Sequence, residues 1–203
     1  MKTKTNLAIL ASGNGSNFEA IIKAVKKGFL NLDYCILVTD KRNSFVRERA
    51  KKHQIKDIFV DPKKFKSKKD FDKKLIQILN KEKIKIVVLA GYMRILSPLF
   101  LNRFKNKILN IHPSLLPSFA GKNAIEDAYN YGVKVTGVTV HFVTQKVDQG
   151  PIIAQKTVFI KSNMELKELE KEIHKTEHKL YPKLLKKFLE NKIEVKGRHV
   201  KVT

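Results

Sequence analysis

Apolar positions along this chain switch repeatedly between strand-like runs and helix-like stripes. Asn6 to Ala11 reads as a buried strand, and a Gly-Asn loop follows it. A helix is expected from about Asn17 to Lys27, with Phe18, Ile21, Ile22 and Val25 on one face. Leu32 to Val38 predicts a second strand, Ser44 to His53 a helix, and Asp57 to Val60 a short strand. Lys68 to Glu82 is helical, with Phe71, Leu75, Ile78 and Leu79 at core spacing. Ile84 to Ala90 is the clearest strand, apolar on both faces as a central parallel strand should be. Lys107 to Ile111 predicts another, and a helix spans about Asn123 to Tyr131.

The rhythm then changes. Val135 to Val143 and Pro151 to Val158 are two strands joined by a polar turn, a hairpin signal. Ser162 and Glu165 have the spacing of a capping box for a last long helix, to about Asn191. Its expected core positions are Leu166, Leu169, Ile173, Leu180, Leu184 and Phe188, and a final hairpin turns at Gly197. Neither a repeat nor a low-complexity linker interrupts the pattern, so residues 1–203 read as one domain. Strand–helix alternation predicts an α/β fold: a Rossmann-like, mostly parallel twisted sheet with helices on both faces and a late antiparallel hairpin. Ligands in such folds bind beyond the carboxyl ends of the strands.

Composition narrows the function classes. At 42% hydrophobic residues the chain has enough apolar material for a sizeable core, which excludes a disordered chain. Its apolar runs fall far short of the ~18 residues that span a bilayer. Lys2 and Lys4 before an apolar stretch hint at a leader, but Leu7 to Ala11 is only five residues and breaks into Gly13-Asn14-Gly15. The single cysteine, Cys35, excludes an internal disulfide and a Cys-rich zinc site, and fits a reducing compartment. Forty-two Lys and Arg against 19 Asp and Glu leave a net charge of +23. That charge admits nucleic acid as a partner. Lys is scattered along almost the whole chain, though, which favours a compositional drift toward Lys, Asn and Ile spread over the surface; a third reading is a basic surface that attracts small anionic substrates such as a phosphate or polycarboxylate.

Four loops hold candidate chemistry. Ser12 to Asn17 lies between a strand and a helix, where glycines let a backbone approach a phosphate and the helix N-terminus offers free N–H groups. It is neither a dinucleotide fingerprint nor a Walker A loop. An ordinary capped turn is the plain alternative. Gly91 to Pro98 offers an apolar patch with Arg94, suited to a flat heterocycle with an acidic tail; the alternative is a buried connection. Asn110 and His112 are two apart at a strand's carboxyl end, so amide and imidazole share a face. One suits oxyanion stabilisation and the other proton transfer. Asp148 occupies the late hairpin turn and matters only if that turn folds back over His112.

Two further patterns have plainer explanations. His174-Lys175-Thr176-Glu177-His178 matches a zinc-peptidase signature, but a third ligand is hard to find beyond His178, where only Glu190 and Glu194 are acidic. Lys63 to Lys74 holds seven Lys in twelve residues with Phe65 and Phe71 between them, which fits single-strand binding or a solvated helix face.

Taken together, four stretches resemble the phosphoribosylglycinamide formyltransferases, a folate-dependent family. They are Ala11 to Asn17, Leu89 to Pro98, Asn110 to Pro117, and Val140 to Val143 through Asp148 to Pro151, in the family's order and spacing. The resemblance runs from residue 6 to about 190 and implies the formyltransferase fold. It implies that Gly15, Ser16 and Asn17 hold the phosphate of glycinamide ribonucleotide and that Glu177 binds its ribose. Met93, Arg94, Ile95 and Leu96, with Thr144, Gln145, Lys146, Val147 and Asp148, would line the folate pocket, and Asn110 would also face it. Asn110, His112 and Asp148 would be catalytic. The co-substrate would be 10-formyltetrahydrofolate, with no metal. The partners would be these two small molecules, without nucleic acid or membrane, in a cytoplasmic monomer or homodimer.

There are departures. Lys68 stands where the family often has an Arg that contacts folate, and Lys lacks the bidentate fork. Asn123 stands where some members have His. The segment from about Lys192 matches weakly. The rival within the superfamily acts on initiator methionyl-tRNA and is expected to need a further C-terminal domain; a folate-hydrolysing relative is expected to need an N-terminal one. A metallopeptidase would bind stoichiometric zinc, and a nucleic-acid-binding module would show salt-dependent binding.

Overall fold

The computed structural model describes residues 5–203, so Lys2 and Lys4 lie outside the described residues. The elements run β1 (Asn6–Leu10), α1 (Ser16–Lys26), β2 (Tyr34–Thr39), α2 (Phe45–His53), β3 (Lys56–Phe59), α3 (Lys68–Lys81), β4 (Ile86–Leu89) and α4 (Pro98–Arg103). They continue as β5 (Ile108–His112), α5 (Ala124–Tyr131), β6 (Val135–Phe142), β7 (Ile152–Phe159), α6 (Leu166–Leu189), β8 (Ile193–Lys196) and β9 (His199–Val202). Seven strands form one sheet in the order β3-β2-β1-β4-β5-β6-β7, and β8 pairs with β9. β1 is parallel to both β2 and β4, and β2 to β3. β6 and β7 are antiparallel, as their shared polar turn implies. The mostly parallel sheet read from the alternation is thus the observed one.

Contacts divide the chain into two compact units, one ending at Leu109 and one running from Asn110 to Thr203, with the division inside β5. In the first unit Leu7, Ala8, Ile9 and Leu10 are fully buried, along with Phe18, Ile21 and Ile22 of α1. Each of the Leu, Ile and Phe side chains contributes roughly 1.5–3 kcal/mol by leaving water. The observed β2 begins two residues later than expected. On α3 the buried set is Phe71, Leu75, Leu79 and Asp72, while Ile78 is half-buried. Asp72 is inside because its carboxylate accepts the Ser97 N–H at 2.5 Å, which fixes the start of α4. That helix has no counterpart in the periodicity reading. Six residues are too few to show a 3.6 period, although Ser97 as N-cap before Pro98 is a legitimate start signal. Phe71 is buried and meets Phe65 edge-on at 5.5 Å, which assigns both rings to packing. Cys35 is buried too, and desolvation pushes its thiol up to about 12. Native protein incubated with iodoacetamide near pH 8 should therefore stay unlabelled at Cys35, with labelling appearing only once denaturant is added.

In the second unit α6 packs on β6 and β7. Its start corrects the sequence reading. Ser162 is not the cap; the chain turns there, with Met164 N–H donating to the Lys161 carbonyl, and the helix begins three residues later. Glu165 is the N-cap and Glu168 its box partner, the Glu165 N–H reaching the Glu168 carboxylate at 3.0 Å. The buried stripe also differs: Leu169, Ile173, Glu177, Tyr181 and Leu185 recur every fourth residue, beside Pro182 and Leu184. Leu166, Leu180 and Phe188 are only half-buried. The expected positions omit Glu177 and Tyr181, the two polar members of the stripe, and also Leu185. The final hairpin turns at Gly197, in the left-handed region at φ 61°. Among the described residues no helix is long and apolar enough to cross a membrane.

Candidate active site

β5 ends at Asn110-Ile111-His112, and strand alternation gives Asn110 and His112 one face. The loop after His112 is tied to β6 and β7. Thr139 Oγ1 donates to the Ser114 carbonyl (2.7 Å) and accepts from the Leu116 N–H (3.1 Å). Gln155 Nε2 donates to the Leu116 carbonyl (2.9 Å), and Ser114 Oγ donates to the Ser118 carbonyl (2.6 Å). Leu115 sits against Gly137, where an added Cβ would lie 2.7 Å from Leu115 Cδ2. The loop so held brings the Phe119 carbonyl to 2.9 Å from His112 Nε2. A carbonyl only accepts, so Nε2 bears a hydrogen. His112 is 4% exposed.

Asp148 does fold back over this ring. Its Oδ2 lies 3.5 Å from His112 Nδ1 and accepts the Gly121 N–H at 3.0 Å. Its Oδ1 lies 3.7 Å from Nε2 of a second imidazole, His141. The turn that achieves this is demanding: Asp148 has φ 53°, a left-handed value that costs a non-glycine residue about 1 kcal/mol or more. Two residues on, a Cβ at Gly150 would overlap the Phe142 carbonyl, so only glycine fits beneath it.

His141 belongs to the candidate site, yet the sequence reading gave it no role. It lay in plain view in a matching stretch, but inside a strand where a histidine is usually structural. The strand pairing slips between Val140 and His141, and a bulge of that kind re-aims a side chain. His141 Nδ1 donates to the Phe142 carbonyl at 2.9 Å. That leaves Nε2 to accept from Asn110 Nδ2 at 3.2 Å. Burial lowers the His141 pKa below the usual imidazole value, outweighing the backbone bond and the Asp148 charge. His141 is therefore the neutral Nδ1–H tautomer, and it orients the Asn110 amide. Unfolded His141 takes a proton near 6.5 and the folded residue only at lower pH. The unfolded state binds more protons in that window, so this residue withdraws stability as pH falls below about 6.5. A 15N NMR titration should show His141 still neutral below pH 6.5. Ordinary titration of His141 would refute the assignment.

The other expected residues are spread over both units. Gly15 is the N-cap of α1 at φ 77°, with Ser16 and Asn17 opening the helix. The loop before it is clamped: Arg49 donates to the Asn14 carbonyl (2.9 Å) and to Asn14 Oδ1 (3.0 Å), and pairs with Glu19. Ser12 links that loop to the segment after β4. Its N–H donates to the Gly91 carbonyl (3.0 Å), its Oγ accepts from the Met93 N–H (3.0 Å), and its hydroxyl donates to buried Asp40 (2.6 Å). Asp40 was absent from the expected set, because a buried contact with Ser12 across 28 positions leaves no local signal. Met93 and Ile95 are exposed, Leu96 is buried, and the Arg94 guanidinium lies 4.7 Å over Phe71. Lys68 is exposed as the first residue of α3, and Thr144, Gln145, Lys146 and Val147 are exposed in the β6–β7 turn. Glu177 is buried and accepts from His174 Nδ1 at 2.9 Å, which raises the His174 pKa. The rings of His174 and His178 stack at 6.3 Å.

Comparison with known proteins fits this arrangement. The formyl transferase family profile matches residues 5–185. Phosphoribosylglycinamide formyltransferase of Bacillus subtilis (strain 168) is 43% identical over 164 residues, 81% of this chain and 84% of that one. Glycinamide ribonucleotide transformylase 1 from Symbiobacterium toebii superposes with a TM-score of 0.95 at 37% identity, covering 98% of this chain and 94% of its own. Phosphoribosylglycinamide formyltransferase from Bacillus halodurans does so with a TM-score of 0.88 at 46% identity, covering 91% and 95%. With the Asn110, His112 and Asp148 cluster at the end of β5, these similarities mean that the chain belongs to the formyl transferase family, among the phosphoribosylglycinamide formyltransferases.

Proposed function

We propose that this enzyme moves the formyl group of 10-formyltetrahydrofolate to the primary amine of glycinamide ribonucleotide through Asn110, His112 and Asp148. The products are N-formylglycinamide ribonucleotide and tetrahydrofolate, a step of purine biosynthesis. The observation that carries the assignment of residues is the Asp148 carboxylate within ion-pair distance of His112, beside an Asn110 amide oriented by His141.

The amine nitrogen attacks the formyl carbon, and the carbonyl pair moves onto oxygen. One Asn110 N–H is engaged by His141 at 3.2 Å, and the other donates to the new oxyanion. The His112 Nε2–H turns from the Phe119 carbonyl to the same oxygen, a tightening expected when substrate arrives. Asp148 stabilises the imidazolium and, through a water molecule, takes the proton that the amine loses. Collapse of the intermediate breaks the bond to the folate nitrogen, which takes up that same proton from Asp148 through the water as it leaves.

Gly15, Ser16 and Asn17 hold the substrate phosphate, and Glu177 its ribose. Met93, Arg94, Ile95, Leu96, Lys68 and Thr144 to Asp148 hold the folate. Both units serve one formyltransferase domain, a reading supported by the single profile match across them. The enzyme works without metal and without nucleic acid, in the cytoplasm, as a monomer or homodimer; both substrates are anionic, which suits the net charge of +23.

The test is direct. Purified protein given 10-formyltetrahydrofolate and glycinamide ribonucleotide should consume both in equal amounts. Transfer to another amine but not this one would overturn the phosphate-loop assignment.

A further inference from the structure

The family profile ends at residue 185, inside α6, and beyond that helix the chain folds into the β8–β9 hairpin. This hairpin has its own anchors. The Thr203 N–H donates to the Lys192 carbonyl (3.0 Å), Lys187 Nζ donates to the Thr203 carbonyl (2.6 Å), and β9 packs against β7. Next to its turn, Arg198 Nη1 donates to the Gln149 carbonyl at 3.1 Å. Gln149 directly follows Asp148.

That contact falls where the catalytic turn needs support. Asp148 is held in a left-handed conformation, at φ 53°, that a non-glycine residue adopts only when its surroundings impose it. From within the turn, the Gln149 N–H reaches the Lys146 carbonyl at 3.3 Å, and the Gly121 N–H reaches the Asp148 carboxylate at 3.0 Å. On the far side Gly150 is fixed beneath the Phe142 carbonyl. The guanidinium fixes the Gln149–Gly150 peptide between these points, so the turn that carries Asp148 is held on its C-terminal side as well.

We propose that Arg198 is a positioning residue: carried by the C-terminal hairpin, it holds the Gln149 carbonyl and keeps the Asp148 carboxylate facing His112. This rests on the reading that Asp148 acts in formyl transfer. It also gives the weakly matching segment a task, which is to steady a turn distant in sequence. Because the hairpin is anchored elsewhere, loss of the Arg198 side chain should leave it folded.

The test is R198A beside R198K. In R198A, kcat should fall about tenfold while KM for both substrates stays within about twofold. Its Tm should move by less than about 2 °C. R198K, which keeps a donor of similar reach, should recover most of the rate. Independently of activity, the amide resonances of Asp148, Gln149 and Gly150 should shift or broaden in R198A, while those of Val195 and Val200 stay put. Wild-type kcat in R198A overturns the proposal. So does a rate loss with a lowered Tm and undisturbed turn resonances, which would mark a structural role. If the wild-type protein transfers no formyl group, the functional reading fails, and the resonances still decide whether Arg198 sets the turn.

Discussion

D148N should lower kcat for formyl transfer by about 10³-fold, and H112A by a similar factor, because each removes a charge or proton used only as the tetrahedral centre forms. The asparagine keeps the shape of Asp148 and can still accept the Gly121 N–H at 3.0 Å. It cannot balance an imidazolium, and it no longer takes the amine proton. KM should change little in D148N, since the loss falls on the transition state. The double variant should be scarcely slower than either single one, because the residues act as a unit. Removing the carboxylate also withdraws a charge that favours protonation of His141, so that ring should become still harder to protonate. Steady-state kinetics with Tm controls on folded variants decides the matter. A D148N enzyme within about tenfold of the wild-type kcat would sink the mechanism.

The second large effect separates two glycines of one loop. G15A should raise KM for glycinamide ribonucleotide by about 100-fold, whereas G13A should barely move it. Gly15 has φ 77°, and a Cβ there would lie 2.6 Å from Val46 Cβ and 3.0 Å from Val46 Cα. Val46 lies on α2, and its N–H also donates to the Gly13 carbonyl at 3.1 Å, so the clash pushes on the loop's own support. Gly13 has open space where its Cβ would stand. The expected thermal cost of G15A is about 1–3 kcal/mol, the usual penalty for forcing atoms into a filled site. Calorimetric titration with the ribonucleotide and, separately, the folate should show the loss on the first only. An equal loss in both variants would mean that loop glycines matter for flexibility, not for room.

Both effects show what the sequence could convey. β4 was legible because it is apolar on both faces, and α1 because Phe18, Ile21 and Ile22 repeat with helical spacing. Asn110 and His112 were legible as a pair because strand alternation is a local rule. Asp148 was legible only as a condition, since nothing within the turn says that it will meet His112. The start of α6 was misplaced because Ser162 and Glu165 have the right spacing, while the cap that forms, Glu165 with Glu168, uses a residue type not usually sought at that position. His141, Asp40 and the Arg198 contact were illegible for a shared reason. Each depends on groups brought together across many intervening residues, and local pattern cannot register such meetings.

Ser12 has one more consequence, for stiffness. Met93 exposes 57% of its surface, and exposed loops are ordinarily the soft parts of a protein. Its peptide nitrogen, however, is hydrogen-bonded to a hydroxyl that is 7% exposed and itself tied to a carboxylate that is 5% exposed. Visibility to solvent and freedom to move are therefore uncoupled at this residue. A molecule docking there would meet a side chain able to adapt on a backbone already set, and it would forfeit little disorder in binding.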